Sequence, residues 1–292
     1  MIKLNQSGRL IVFKKFITGV YKIIFYVLNI KIFKNMIFDA LPERYIFVEN
    51  QSVHFILDKK DKVISKAIYR KGFYDFDFLQ KALEICKKRD YLIDVGANLG
   101  SISIPAIKNN YFKMSYAFEI DKLNLKHLKL NTILNNLEDK IVIENLAVFS
   151  KSNQSLSVKI NKYNYGDTKI TLTHENDNSK VKSITLDQYF KNNKKIYNSS
   201  LIFMDIQGSE IHALKGANLF LKKTTPIVLE MDPSALEKLG TNFFDLQNLL
   251  KEYRYFYILD NKNFKVKIRI DHLEKLYNYC MENREYANIL FV

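Results

Sequence analysis

Four acids in this chain each close a short apolar run: Asp94 after Leu92-Ile93, Glu119 after Tyr116-Ala117-Phe118, Asp205 after Leu201-Ile202-Phe203-Met204, and Glu230 after Ile227-Val228-Leu229. A carboxylate can accept two hydroxyl hydrogen bonds at once or take up a proton, so such acids suit a nucleoside site and chemistry at a hydroxyl. Asp94 leads into Val95-Gly96-Ala97-Asn98-Leu99-Gly100, and Glu119 lies 25 residues beyond it. That pairing reads as a nucleoside-binding βαβ unit. A glycine turn opens a helix whose first amides face the ligand, and a second strand then delivers the acid that holds the ribose.

The glycine spacing separates two classes of cofactor. A dinucleotide site calls for Gly-x-Gly-x-x-Gly, so that a pyrophosphate rests on bare backbone. Asn98 stands at the middle glycine position here, which disfavours a dinucleotide dehydrogenase. The loop suits a nucleoside cofactor without phosphates, of which S-adenosylmethionine is the commonest. Asp94, Gly96, Asn98, Gly100, Glu119 and Asp205 are expected around it. Small Ala147, in Asn145-Leu146-Ala147-Val148, would let an adenine ring approach the backbone.

These residues need a sheet to position them. Apolar runs at 91–95, 115–119, 141–144, 201–205 and 226–230 alternate with helical stretches near 101–109, 121–136 and 209–221, which predicts a doubly wound, mostly parallel α/β sheet with ligand-bearing strand ends. Residues 45–48 and 53–57 read as a hairpin around Glu49-Asn50-Gln51-Ser52, and a helix over 73–88 leads into the first sheet strand. Between the two halves of the sheet, residues 154–160, 169–173 and 181–184 alternate as small β additions around Tyr163-Asn164-Tyr165-Gly166-Asp167. The runs at 255–259, 266–270 and 287–292 supply further strands, the last two as antiparallel additions. The expected organisation is a leader over 1–40, a hairpin and helix over 41–90 that pack on the core, and a main domain over 91–292.

At 292 residues, 47% hydrophobic and 13% aromatic, the chain is globular in composition. Its two cysteines, Cys86 and Cys280, have neither metal-ligand spacing nor a disulfide framework. Of the formal charge of +14, the leader holds seven basic residues against the single acid Asp39. Its lysines interrupt the apolar blocks too often for a membrane span or a secretory signal. On a helix, Phe13, Ile17, Val20, Ile24 and Val27 share one face, so the leader either lies on an anionic membrane surface or packs on the main domain. The basic residues interleave with aliphatics more than with stacking aromatics, and no nucleic-acid module is present, so a nucleic-acid partner is not expected. A cytoplasmic enzyme, peripheral at the inner membrane face if the leader binds lipid, fits these features.

Several motifs in one order make the chain resemble the FkbM-type S-adenosylmethionine-dependent methyltransferases over roughly residues 91 to 232. They are Asp94 to Gly100, Phe118-Glu119, the helix with Asn124, Leu128 and Asn131, Asn145 to Val148, Leu186-Asp187, Asp205 to Glu210, Leu214 to Ala217, and Pro226 to Glu230. The resemblance implies a Rossmann-like methyltransferase fold and transfer of a methyl group, most often to oxygen, on sugars, glycans or polyketide-type products. It also implies that Gly96, Glu119 and Ala147 line the cofactor pocket. Two residues depart from the family pattern: Ile120 replaces a proline, and Gln207 replaces the second acid of the Asp-x-Glu-Gly motif. Glutamine can hold a hydroxyl but is neither a base nor a good ligand for a hard cation, so no catalytic metal is expected.

The catalytic expectation therefore falls on Asp205, as the group that orients the hydroxyl or takes its proton, unless it only caps the following helix. His212 and His174 are the alternative bases. Asn164, Asp167, Gln207 and Glu230 are the expected contacts to a sugar, glycan or small-molecule acceptor. A methyltransferase of a lipid or small metabolite, and a nucleoside-binding relative that has lost catalysis, are the rival readings.

Overall fold

The computed structural model describes residues 37–87, 89–171 and 179–292. The basic leader therefore falls almost wholly outside the described residues, as does His174. Among the described residues no helix is long and apolar enough to cross a membrane.

The chain opens with a hairpin, β1 (Tyr45–Asn50) and β2 (Val53–Asp58). Its turn is tighter than the four residues expected, because Glu49 and Asn50 pair with His54 and Val53. Gln51 and Ser52 both take positive φ, as a two-residue hairpin turn demands. The other edge of β2 is closed by side chains of a helix. Asn131, on the helix Lys122–Leu134, and Asn135, its C-cap, accept from the amides of Ile56 and His54 at 2.7 and 2.9 Å. Helices Ile64–Lys71 and Phe76–Ile85 follow; the first of these is not evident in the sequence pattern.

Strands β3 (Tyr91–Val95), β4 (Met114–Phe118) and β5 (Ile141–Glu144) build one half of the main sheet. Strand β6 (Ala147–Val148) leaves it and pairs with β9 (Ser179–Ile184), which together with β7 (Ser155–Lys159) and β8 (Lys169–Thr171) makes a separate four-stranded sheet. The chain then returns through β10 (Ser200–Met204), β11 (Ile227–Met231), β12 (Tyr255–Ile258), β13 (Ile268–Arg269) and β14 (Ala287–Phe291). The eight-stranded order is β13-β12-β14-β11-β10-β3-β4-β5, with β5, β4, β3, β10 and β11 parallel. This is the doubly wound α/β architecture expected. Strand β14 is antiparallel, but it is wedged between β11 and β12 rather than added at an edge.

Both faces of the sheet are buried, which is why its strands read as continuous apolar runs. Leu92, Leu201, Phe203, Val228 and Leu290 enter one core with the Phe76–Ile85 and Lys122–Leu134 helices. Ile93, Ile202, Met204, Leu229 and Ile289 enter the other, with Ile211, Leu214 and Phe220. The helix expected over 209–221 is two shorter ones, Glu210–Lys215 and Asn218–Lys222. The chain breaks at Gly216, where a Cβ would stand 2.3 Å from the Phe149 carbonyl oxygen. The order in which strands are added to the sheet reverses between the parallel neighbours β3 and β10, and Gly96 and Asp205 face each other across that point.

Candidate functional site

Local structure explains the turn after β3. Asp94 is buried and accepts from the amide of Ser103, at 3.2 Å, and from its hydroxyl, which in turn lies 2.8 Å from Ser115 Oγ. Burial pushes its carboxyl up to about 7, against the pull of the Ser103 hydrogen bonds. Asp94 thus ties the first turn of helix Ser103–Lys108 to β3 and β4. Gly96 has φ +91, and a Cβ there would lie 2.0 Å from the Asp205 carbonyl oxygen. Only glycine permits that approach. Gly100 packs on Ile104 and Leu128 behind the turn.

Asn98 takes a left-handed conformation, φ 50, which presents its amide to Glu119 Oε2 at 2.7 Å. Glu119 Oε1 accepts from the Asp121 amide at 2.7 Å. Each oxygen has one protein donor, which leaves the carboxylate two further acceptor positions. Burial raises the Glu119 carboxyl to about 7, and the Asp121 and Asn98 amides oppose that rise. Asp121 also caps the helix Lys122–Leu134 through the amides of Leu123 and Asn124, both at 2.8 Å.

The small sheet covers this end. Its loop carbonyl at Tyr165 accepts from Asn98 Nδ2 at 3.2 Å and from Asn124 Nδ2 at 2.9 Å. The Tyr165 hydroxyl donates to Asp58 Oδ2 at 3.2 Å, joining the hairpin as well. Sequence reasoning missed this carbonyl clamp, since a backbone contact leaves no residue-type signal. The resulting cleft is lined by Gly96, Asn98, Glu119, Asn124, Tyr165, Thr168 and Asp205, among others.

At the other end lies an acid group. Asp205 Oδ1 accepts from Gln207 Nε2 at 2.6 Å, and the same nitrogen donates to Glu230 Oε2 at 3.0 Å. Burial raises the Asp205 carboxyl; burial and the neighbouring Asp205 raise Glu230 to about 10. Glu210, also buried, accepts from the amides of Ile206 and Gly208, both at 2.9 Å, and so shapes the motif turn. Tyr74 and Asp75, from the turn before helix Phe76–Ile85, reach the same cleft. Sequence reasoning missed both because they precede the strand-end pattern.

The structure separates the remaining candidates. Ala147 is buried in the core of the small sheet with Phe149, Val158 and Ile170, while its neighbours Leu146 and Val148 line the cleft. His212 is not among the cleft residues. Its Nε2 is 2.9 Å from the Leu239 carbonyl, to which it can only donate, and its ring stacks on Phe149 at 4.5 Å. Asn164 caps the loop at the Gly166 amide, 3.1 Å. Asp167 pairs with Lys169 at 2.8 Å, and it shares with Gln207, Lys159, Asp232 and Lys238 a second groove beside the cleft. Gln207 thus connects that groove to Asp205. Among the described residues no group of His, Cys, Asp and Glu is arranged to hold a metal ion.

The cleft fits a nucleoside that lacks phosphates. Asn124 Oδ1 and Thr168 Oγ1 are buried without a hydrogen-bond partner in the protein, and both residues line it. Among the described residues no lysine, arginine or histidine lines it to receive a diphosphate. A doubly wound sheet, a glycine turn and an acid after the second strand together make a nucleoside-binding site at the switch point of an α/β fold. Residues 94–257, more than half of the chain, match the methyltransferase FkbM domain. The chain belongs to the FkbM methyltransferase family, and its cofactor is S-adenosyl-L-methionine.

No curated protein matches the chain. Among solved structures it is similar to M. jannaschii TYW2 in complex with AdoMet, with 13% identity, a TM-score of 0.45, and coverage of 86% of this chain and 87% of the other. It is similar to methyltransferase FkbM from Methylobacillus flagellatus, with 13% identity, a TM-score of 0.42, and coverage of 91% and 61%. The M. jannaschii tRNA m1G37 methyltransferase is matched with 14% identity, a TM-score of 0.39, and coverage of 86% and 58%.

The bridging amide gives a prediction. Gln207→Glu replaces the shared donor with a third carboxylate against Asp205 and Glu230. A carboxyl held above its ordinary value in the fold destabilises it once pH exceeds the unfolded value of about 4.3. The variant should melt below wild type by a margin that widens from about pH 5 to about pH 8, and magnesium should narrow it by neutralising the trio. A margin that does not change with pH would rule out the carboxylate contact.

Proposed function

We propose that this methyltransferase acts on a hydroxyl of a sugar or glycan. S-adenosylmethionine, when bound, supplies an electrophilic methyl on a sulfonium and becomes an uncharged thioether after transfer. In this reading Glu119 holds the ribose diol, and Asn98 and the Tyr165 carbonyl fix the turn around it. Asp205 accepts the hydroxyl proton as the acceptor oxygen takes the methyl. Gln207 holds the Asp205 carboxylate in place and touches the acceptor from the second groove, where Asp167 and its Lys169 partner offer further polar contacts. The observation that carries the reading is the Asp205–Gln207–Glu230 arrangement. A carboxylate stands at the sheet's switch point, one side chain away from a groove with room for an acceptor.

The test is transfer of labelled methyl from the cofactor to separate fractions of sugars and glycans, lipids, small metabolites and tRNA. Label should enter the sugar or glycan fraction as an alkali-stable ether. Label on a nitrogen atom or in the RNA fraction would overturn the hydroxyl assignment, and label in the lipid fraction alone would move the acceptor class. Cofactor binding without label in any fraction would favour a catalytically inactive relative.

A further inference from the structure

Among the described residues, the charged side chains that line the cofactor cleft are Asp75, Glu119 and Asp205, and none is basic. Glu119 belongs to the nucleoside end, where Asn98 and Asp121 hold it. Asp205 belongs to the switch point. Asp75 comes from outside the segment that defines the family, and helix capping does not account for its position. It sits at the N-terminus of helix Phe76–Ile85 in the left-handed conformation, φ 55, yet its side chain caps none of that helix's amides. A non-glycine residue in that region is uncommon and carries a cost. What the conformation does achieve is to bring a carboxylate to the cleft wall shared with Asp205.

We propose that Asp75 supplies counter-charge to the cationic, methyl-bearing end of the cofactor, so that the cleft prefers S-adenosylmethionine to its uncharged thioether product. The two ligands differ by one methyl and one positive charge. A wall that holds carboxylates and no basic group distinguishes them by charge. Burial, with Asp205 and Asp77 next in effect, pushes the Asp75 carboxyl up to about 7, a rise that the Tyr74 hydrogen bond and the Lys71 charge oppose without cancelling. The unpartnered Asn124 Oδ1 and Thr168 Oγ1 are independent evidence that a polar ligand occupies this cleft. Loss of the charge on transfer then weakens the hold on the product and favours its exit. The N-terminal segment is, on this account, part of the cofactor site.

The inference rests on the cofactor and not on the identity of the acceptor. The test is calorimetry on the full chain with two ligands that cannot be turned over: S-adenosylhomocysteine, and sinefungin, whose ammonium group replaces the sulfonium methyl. Asn tolerates the left-handed region well, so Asp75→Asn removes the charge and keeps the backbone. Wild type should prefer sinefungin. In Asp75→Asn the sinefungin Kd should rise about tenfold while the S-adenosylhomocysteine Kd stays within about twofold. Equal weakening of both ligands would assign Asp75 a structural role and overturn the proposal, as would an unchanged ratio. Wild-type protein that binds neither ligand would instead fail the cofactor assignment.

Discussion

Asp205→Asn should lower turnover by about a hundredfold to ten-thousandfold, the range for removal of a general base, while cofactor affinity changes only a few-fold. Asparagine keeps the shape of the side chain. Its carbonyl oxygen can accept from Gln207 Nε2, as Asp205 Oδ1 does at 2.6 Å, and its amide can donate to Glu230. The ribose contacts at Glu119, held by the Asn98 and Asp121 amides, are untouched by the change. Binding is therefore retained and proton transfer is not. Single-turnover rates with a sugar acceptor, measured beside calorimetric binding of S-adenosylhomocysteine, separate the two. An unchanged rate would transfer the proton-accepting role to another group or to solvent.

Glu119→Ala should weaken S-adenosylmethionine and S-adenosylhomocysteine alike, by about ten- to a hundredfold, because the ribose is common to both. Hydrogen bonds to a charged acceptor contribute about 1.5–3 kcal/mol, and about 1.4 kcal/mol is a factor of ten. The substitution also strips the amides of Asn98 and Asp121 of their acceptor, so part of the loss is disorder in the turn. Glu119→Gln sharpens the result. It keeps the volume but turns an NH2 group toward an amide donor, and it should bind poorly for that reason. Equal affinities in wild type and Glu119→Ala would place the ribose elsewhere. The uniform loss expected here contrasts with the selective loss expected at Asp75.

The main sheet is legible in the sequence because its strands are buried on both faces. Apolar runs such as Leu201 to Met204 admit few other environments, and Glu119 and Asp205, the acids that follow β4 and β10, fall at the ligand edge. Where tertiary contacts decide, the pattern misleads. The apolar period runs on past Gly216, but the approach to the Phe149 carbonyl breaks the helix there. The run Ala287 to Phe291 announces a strand without stating that it inserts between β11 and β12. Ala147 sits in a motif whose neighbours line the cleft, and the two-residue period of a strand turns it to the opposite side. His212 has the chemistry of a base, and only the fold reveals that Leu239 and Phe149 hold it. Asp75 carries no signal at all, since its importance lies in a left-handed backbone and a neighbour 130 residues away.

The clamp over the nucleoside end grips through the Tyr165 carbonyl oxygen, an atom that every amino acid possesses. Point mutation cannot delete it. Replacing the Tyr165 side chain would cost its hydroxyl bond to Asp58 but would leave both carbonyl contacts available. The same loop carries Asp167 into the neighbouring groove. Evolution can therefore revise the acceptor side of this element one residue at a time, leaving the lid intact on its other side. A fold arranged in this way can give rise to enzymes of differing acceptor range that share one cofactor.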